Sequence, residues 1–110
     1  MSKMKQKGTL AETALVNYLQ EKGIDARRLP LVGAKDQGDI LISREADFTV
    51  EVKNHRTMDL AEWVDQSITE RDNAKTDFGV VMHKRIRRGN PGDWYVTMSV
   101  DTFIGLLKRL

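Results

Sequence analysis

The chain has 110 residues, the length of one globular domain, with 40% hydrophobic and 31% charged residues and a formal net charge of +2. It contains no cysteine and only two histidines, which excludes disulfides, thiolate zinc sites and histidine-rich metal sites. Any metal ion must therefore be held by oxygen atoms, and oxygen ligands favour hard cations such as magnesium or manganese.

Two further features bear on location and partners. The sequence shows neither a secretory signal nor an apolar run long enough to span a membrane, so we expect a cytoplasmic protein without a membrane partner. Basic residues cluster in a flexible N-terminal arm over residues 1–7, in the Arg27–Arg28 pair and between Lys84 and Arg88. Each cluster alone is better explained as solvated surface charge, but three in so short a chain favour contact with nucleic-acid phosphates.

The first predicted element in chain order is a helix from Gly8 to Lys22, because apolar residues recur there at the helical period and Gly23 supplies a stop. A short strand over 26–31 and a glycine-containing loop over 31–38 follow. Next come a strand over Asp39–Ser43, a turn over 44–47 and a strictly alternating strand over Phe48–Lys53.

The second half continues with a helix from Asp59, its predicted N-cap, to Ala74. An apolar strand over Phe78–His83, a turn over 90–93 and a strand over 94–98 come next, and a last helix begins at Ser99 or Asp101. This order predicts an α/β fold of one domain over residues 1–110, with a mixed central β-sheet flanked by helices.

Four residues of these elements suggest chemistry. Glu51 and Lys53 share one face of a strand, because positions i and i+2 point the same way. Asp39 reaches the same end of the sheet if the two strands pair through the 44–47 turn, and Glu12, on the flank of the first helix, can add a third carboxylate. Three converging carboxylates need a counter-charge, which a divalent cation supplies while activating a water for attack on a phosphodiester.

Each of these residues also has a purely structural explanation. A Glu-x-Lys pair is commonly an exposed salt bridge, Asp39 can be a turn residue, and Glu12 can favour the helix dipole. Asp36 is a rival metal ligand, but a flexible loop is a poor place for a rigid ligand. His55 is a weaker candidate for a general base, because metal activation of water reduces the need for one.

The order and context of these residues resemble the PD-(D/E)XK nuclease superfamily. The matching stretches are Lys7–Glu12, Gly38–Ile40 and Glu51–Lys53, with Gly38 where the motif name has Pro. Within the superfamily the chain is most similar to the small phage-type Holliday junction resolvases. The cues are the Lys-Gly before the helix acid, the length, the Glu-Val-Lys-Asn of residues 51–54, and the segments 63–66 and 80–84. The resemblance covers most of residues 7–107.

The resemblance implies a restriction-endonuclease-like αβββαβ core and a magnesium- or manganese-dependent endonuclease that hydrolyses DNA phosphodiesters, in particular those of four-way or related branched DNA. It implies metal ligation by Glu12, Asp39, Glu51 and the main-chain carbonyl of Val52, with Lys53 catalytic. Recombination and phage genome processing, in a bacterial or phage-infected cell, are both compatible. No small-molecule cofactor is expected. Two alternatives stay open: a restriction- or repair-type nuclease, and a DNA-binding protein without catalysis.

Partner surfaces are predicted more coarsely. We expect Lys7, Arg28 and Lys84 to contact DNA phosphates. Gln66 resembles a glutamine that related nucleases place near the metal site, although a surface glutamine is the simpler explanation. The resemblance also implies a homodimer, because a four-way junction needs two symmetric cuts. The apolar final helix is a candidate for that interface, and its packing on the sheet is an equally good explanation.

Overall fold

The computed structural model describes residues 3–30 and 36–110, with the backbone alone for residues 3–5. Over these residues the chain forms three α-helices, five strands and one 3-10 turn. In chain order they are α1 (Lys3–Glu21), β1 (Asp25–Arg28), β2 (Ile40–Ser43), β3 (Asp47–Lys53), α2 (Leu60–Ala74), β4 (Phe78–His83), the 3-10 turn (Pro91–Asp93), β5 (Tyr95–Thr97) and α3 (Val100–Leu107).

The five strands form one sheet in the order β1-β2-β3-β4-β5. Neighbouring strands are antiparallel except for β3 and β4, which run parallel and are connected through α2. A parallel pair needs such a crossover, whereas β2 and β3 are joined by a tight turn. The predicted α/β class, a mixed sheet flanked by helices with an αβββαβ core, is confirmed.

The boundaries of two elements differ from the sequence prediction. Helix α1 begins at Lys3, so residues 3–7 of the predicted flexible arm are helical; lysine, methionine and glutamine are good helix formers, and the helix continues through Gly8. Strand β1 covers Asp25–Arg28 and ends before Pro30, which has no N–H for a ladder. Residues 1–2 of the arm and 31–35 of the predicted loop lie outside the described residues.

Both faces of strand β3 are covered by other parts of the protein, so side chains on either face are buried. Val50 and Val52 pack in the core with Leu15 and Val16 of α1. Thr49 and Glu51, which alternate with them, are also buried, at 0% and 5% exposure. The face that carries Glu51 is therefore not an exposed salt-bridge face.

Helix α2 lies close to the sheet on the Glu51 side. A Cβ atom at Gly79 of β4 would lie 2.3 Å from the main-chain oxygen of Ser67, so only glycine permits this approach. Trp63, Ser67 and Glu70 are the buried residues of α2. Because Gly79 lets this side of α2 approach the sheet closely, Glu70 is buried between the helix and the sheet. None of the described helices has the length and apolar character needed to cross a membrane.

Candidate active site

The centre of the site is Glu51 on β3, with Lys53 beside it. Lys53 Nζ lies 3.4 Å from Glu51 Oε1, and the side chains are 17% and 7% exposed. Glu51 Oε2 is buried and has no hydrogen-bond partner among the described residues. The structure thus places the predicted acid and ammonium side by side, and one buried carboxylate oxygen of Glu51 is not engaged by a hydrogen bond from the described residues.

Asp39 immediately precedes β2 and continues its pairing with β3. Its N–H donates to the Val50 carbonyl at 3.0 Å, and its Oδ2 accepts a hydrogen bond from the Val52 N–H at 2.8 Å. Burial and the negative charge of Glu51 raise the pKa of Asp39, against the hydrogen bond from Val52. Asp39 therefore lies at the same end of the sheet as Glu51, as the hairpin argument predicted.

Glu12 of α1 reaches the other side of Asp39. Its Oε2 accepts a hydrogen bond from Arg28 Nη2 at 2.8 Å. Burial raises the pKa of Glu12 to about 7, with a further contribution from the neighbouring Asp39 carboxyl, while Arg28 opposes the shift. Glu12, Asp39 and Glu51 thus follow one another in a row, and Arg28, predicted to contact phosphate, is paired with the first of them.

A more compact acidic group lies on the opposite side of Glu51. Carboxylate oxygens of Asp36, Glu51 and Glu70 all lie within 4.8 Å of one another. Glu70 is fully buried, and neither of its oxygens has a hydrogen-bond partner among the described residues. Burial, and then the Glu51 and Asp36 carboxyls, raise the pKa of Glu70 far above its usual range. Sequence reasoning missed Glu70 and ranked Asp36 only as a rival.

Asp36 is held in position by several contacts. Its Oδ1 accepts a hydrogen bond from the Gly38 N–H at 2.9 Å, and its carbonyl accepts one from Asn73 Nδ2 of α2 at 2.8 Å. Burial alone raises the pKa of Asp36, but the neighbouring Glu70 and Gln66 side chains and the Gly38 N–H outweigh it and lower the pKa. These contacts fix Asp36 in place, so its position in a loop does not argue against metal ligation. Gln66 lies beside this group.

A signal for Glu70 was present in the sequence. Trp63, Ser67 and Glu70 are spaced by four and three residues, so they share one face of α2. A glutamate that continues a buried stripe is costly unless it is neutral, paired or bound to a cation.

The donor set suits a hard divalent cation. Every candidate side-chain ligand is a carboxylate, and three of their oxygens are buried without a hydrogen-bond partner among the described residues, namely Glu51 Oε2 and both oxygens of Glu70. Lys53 is the cation paired with Glu51. A site so rich in carboxylates fits magnesium or manganese.

A basic cleft of about 330 Å³ opens where β3 and β4 end. It brings together Lys7 of α1 and Lys84, two residues predicted to contact DNA, although they are far apart in the chain. Its lining is completed by Asn54, His55, Arg56, Arg85, Ile86 and Arg87. His55 is exposed at this cleft, with its ring centroid 5.6 Å from that of Trp63. The cleft is a cationic surface suited to phosphate groups.

A five-stranded mixed sheet flanked by helices, with acids where β2 begins and within β3, is the architecture that the resemblance to the PD-(D/E)XK superfamily implied. Neither a family model nor a curated protein matches this sequence. Among solved structures, its fold is similar to that of Hjc, a Holliday junction resolvase from the archaeal hyperthermophile Archaeoglobus fulgidus. The TM-score is 0.58 at 24% sequence identity, and the match covers 82% of this chain and 70% of that chain. The predicted resemblance is confirmed at the level of the fold.

Proposed function

We propose that the protein is a metal-dependent endonuclease that hydrolyses phosphodiesters of branched DNA, with four-way junctions as the preferred substrate. The observation that carries the proposal is the row of three carboxylates, with an ammonium group beside Glu51, next to a basic cleft. The fold shared with a Holliday junction resolvase supports the choice of substrate.

Glu12, Asp39, Glu51 and the Val52 carbonyl are the proposed ligands of a magnesium or manganese ion. When bound, such an ion lowers the pKa of a water and neutralises charge that develops on a phosphoryl oxygen. The Val52 N–H orients Asp39 for this task, since it holds one of the two carboxylate oxygens at 2.8 Å. Arg28 orients Glu12 in the same way.

Lys53 is the proposed catalytic cation. Its side chain is largely buried, and Glu51 holds the ammonium group at 3.4 Å, so its position is fixed before substrate arrives. An ammonium group in this place donates hydrogen bonds to the attacking water or to the phosphoryl oxygen on which negative charge grows. Hydrolysis then breaks one P–O bond of the backbone.

The basic cleft is the proposed binding surface for the DNA backbone. Lys7 and Lys84 are two of its lining residues, and Arg28 is 45% exposed beside Glu12, so its outer side remains open to a phosphate. Gln66, adjacent to Asp36, is a further proposed contact near the cleaved bond. Contacts of this kind recognise the charge and shape of DNA and carry no direct sequence readout.

A homodimer is the proposed active form, and its interface is the outer face of α3. Thr102 is the buried residue of this helix, and Gly105 packs against the Phe78 ring. The apolar side chains on the other side are exposed, namely Val100, Phe103, Ile104, Leu107 and, just beyond the helix, Leu110. A contiguous apolar face of this kind on a small protein indicates association, and a twofold dimer supplies the two cuts that a junction needs.

We expect sedimentation analysis to return the mass of two chains for the wild type and of one chain for Phe103→Asp. The introduced carboxylate would be buried without a partner at the interface. Leu10→Asp, at a position that is 70% exposed on α1, is the matched control and should sediment like the wild type. A wild type of single-chain mass would remove the dimer from the proposal.

The central test is cleavage of end-labelled synthetic DNA with and without magnesium or manganese. We expect a four-way junction to be cut only with metal, and in preference to forked and linear duplex of the same arm sequence. Equal cutting of linear duplex would favour a restriction- or repair-type nuclease. Junction binding without cleavage under either metal would leave a non-catalytic DNA-binding protein.

A further inference from the structure

We infer that Asp36, Glu51 and Glu70 form a second divalent-cation site, adjacent to the one proposed at Glu12, Asp39 and Glu51 and sharing Glu51 with it. The inference extends the proposed function through that shared residue. It concerns a ligand, Glu70, that lies on α2 and outside the motif residues of the first site.

The first support is the convergence of the three side chains. They come from the segment before β2, from β3 and from α2, yet their carboxylate oxygens lie within 4.8 Å of one another. Oxygens bound to one magnesium or calcium ion, at about 2.1–2.5 Å from it, are up to about 4–5 Å apart. The three groups are thus already close to the separation that a shared ion requires.

The second support is the unsatisfied state of the buried oxygens. Both oxygens of Glu70 and Oε2 of Glu51 are buried without a hydrogen-bond partner among the described residues. A buried polar atom left without a partner costs about 1–3 kcal/mol, and more for a charged group. A cation would satisfy all three oxygens at once, and none of them is needed for the contacts that Glu51 Oε1 makes with Lys53.

The third support is the anchoring of Asp36. Asn73, three residues after Glu70 on α2, donates to the Asp36 carbonyl at 2.8 Å. The Gly38 N–H fixes Asp36 Oδ1 at 2.9 Å. Asp36 is therefore anchored to the helix that carries Glu70, and this anchoring supplies the rigidity that a metal site needs.

Glu12 and Glu70 lie on opposite sides of the Asp39–Glu51 pair, so the two sites have different outer ligands. Glu12 lies on the far side of Asp39, where Arg28 already pairs with one of its oxygens. Glu70 lies on the other side of Glu51, beside Asp36. Glu51 is the member common to both groups. Glu51 would contribute a ligand to both sites, and an ion held by Asp36, Glu51 and Glu70 would supply further positive charge beside the phosphodiester.

Counting bound Mn²⁺ by the electron paramagnetic resonance signal of the free ion tests this directly, without reference to cleavage. We expect two ions per chain for the wild type and one for Glu70→Gln. Asp36→Asn, at an exposed position, should also bind one, and it keeps the test valid if the buried substitution impairs folding. Glu12→Gln should retain the Asp36–Glu51–Glu70 site and bind one ion. Glu62→Gln, exposed on the same helix as Glu70, is the matched control and should bind two.

Retention of the wild-type count in both Glu70→Gln and Asp36→Asn would overturn the second site. Failure of the proposed function gives a different result. In that case junction DNA is not cut with any metal, whereas the Mn²⁺ counts of the wild type and the variants still report on the site itself.

Discussion

Glu51→Gln is expected to reduce metal-dependent cleavage of a four-way junction by at least about 1000-fold, because it removes the charge of the carboxylate that both proposed metal sites share. Glu51 lies between Asp39 and Glu70, and neither of these neighbours occupies its position between the two proposed sites. Single-turnover cleavage of labelled junction, with enzyme in excess, measures the chemical step.

Binding of the junction should survive this change, since Lys7 and Lys84 line a cleft that does not include Glu51. Lys53→Ala should likewise lose cleavage and retain binding of the junction. Glu45→Gln, whose side chain is 91% exposed in the β2–β3 turn, is the control for loss of a carboxylate and should cut normally. Cleavage by Glu51→Gln within tenfold of the wild-type rate would contradict the assignment.

Local sequence patterns were sufficient to predict most of the site. The strict alternation over residues 48–53 identified β3, and the i, i+2 rule placed Glu51 beside Lys53, where the structure has them at 3.4 Å. The turn over 44–47 predicted the hairpin that brings Asp39 to the same end of the sheet. These inferences succeed because period and turn chemistry are properties of short segments.

Glu70 and Asp36 could not be placed in the same way, because their meeting depends on how closely α2 approaches the sheet. That distance is set by Gly79, where any Cβ would collide with the Ser67 carbonyl. Gly79 gave no signal of this role in the sequence, since it lies inside an apolar strand with nothing nearby to mark helix contact. The burial of the Glu51 face is likewise a tertiary property, and alternation alone made it look exposed.

The carboxylate group at Glu70 also governs stability. Without divalent metal, Glu70→Gln is expected to raise the thermal midpoint above that of the wild type near pH 8, with a gain of order 10 °C that shrinks toward pH 5. Glutamine has the same shape and no charge, so it removes the cost of burying a carboxyl. Circular dichroism melts in chelator, over a series of pH values, measure the effect.

The sign follows from the direction of the Glu70 pKa shift. The folded protein raises this pKa far above the ordinary value of 4.5, so folding must take up a proton at any pH between the two values. Wild-type stability from this group is therefore fully present below about pH 4.5 and declines as pH rises, by at most about 1.4 kcal/mol per pH unit. Glutamine has no such dependence, and the two curves converge at low pH.

Divalent metal should narrow this difference in midpoint near pH 8. An ion at one hundred times its dissociation constant stabilises the folded state by about 2.7 kcal/mol, and the variant lacks one carboxylate ligand for it. Mn²⁺ is therefore expected to raise the wild-type midpoint more than that of Glu70→Gln, whereas Glu62→Gln should follow the wild type in both conditions. A Glu70→Gln midpoint that is lower than the wild-type value in chelator at pH 8 would show that Glu70 stabilises the metal-free fold. The buried carboxylate would then be a structural group, and the cost that a cation is proposed to relieve would not exist.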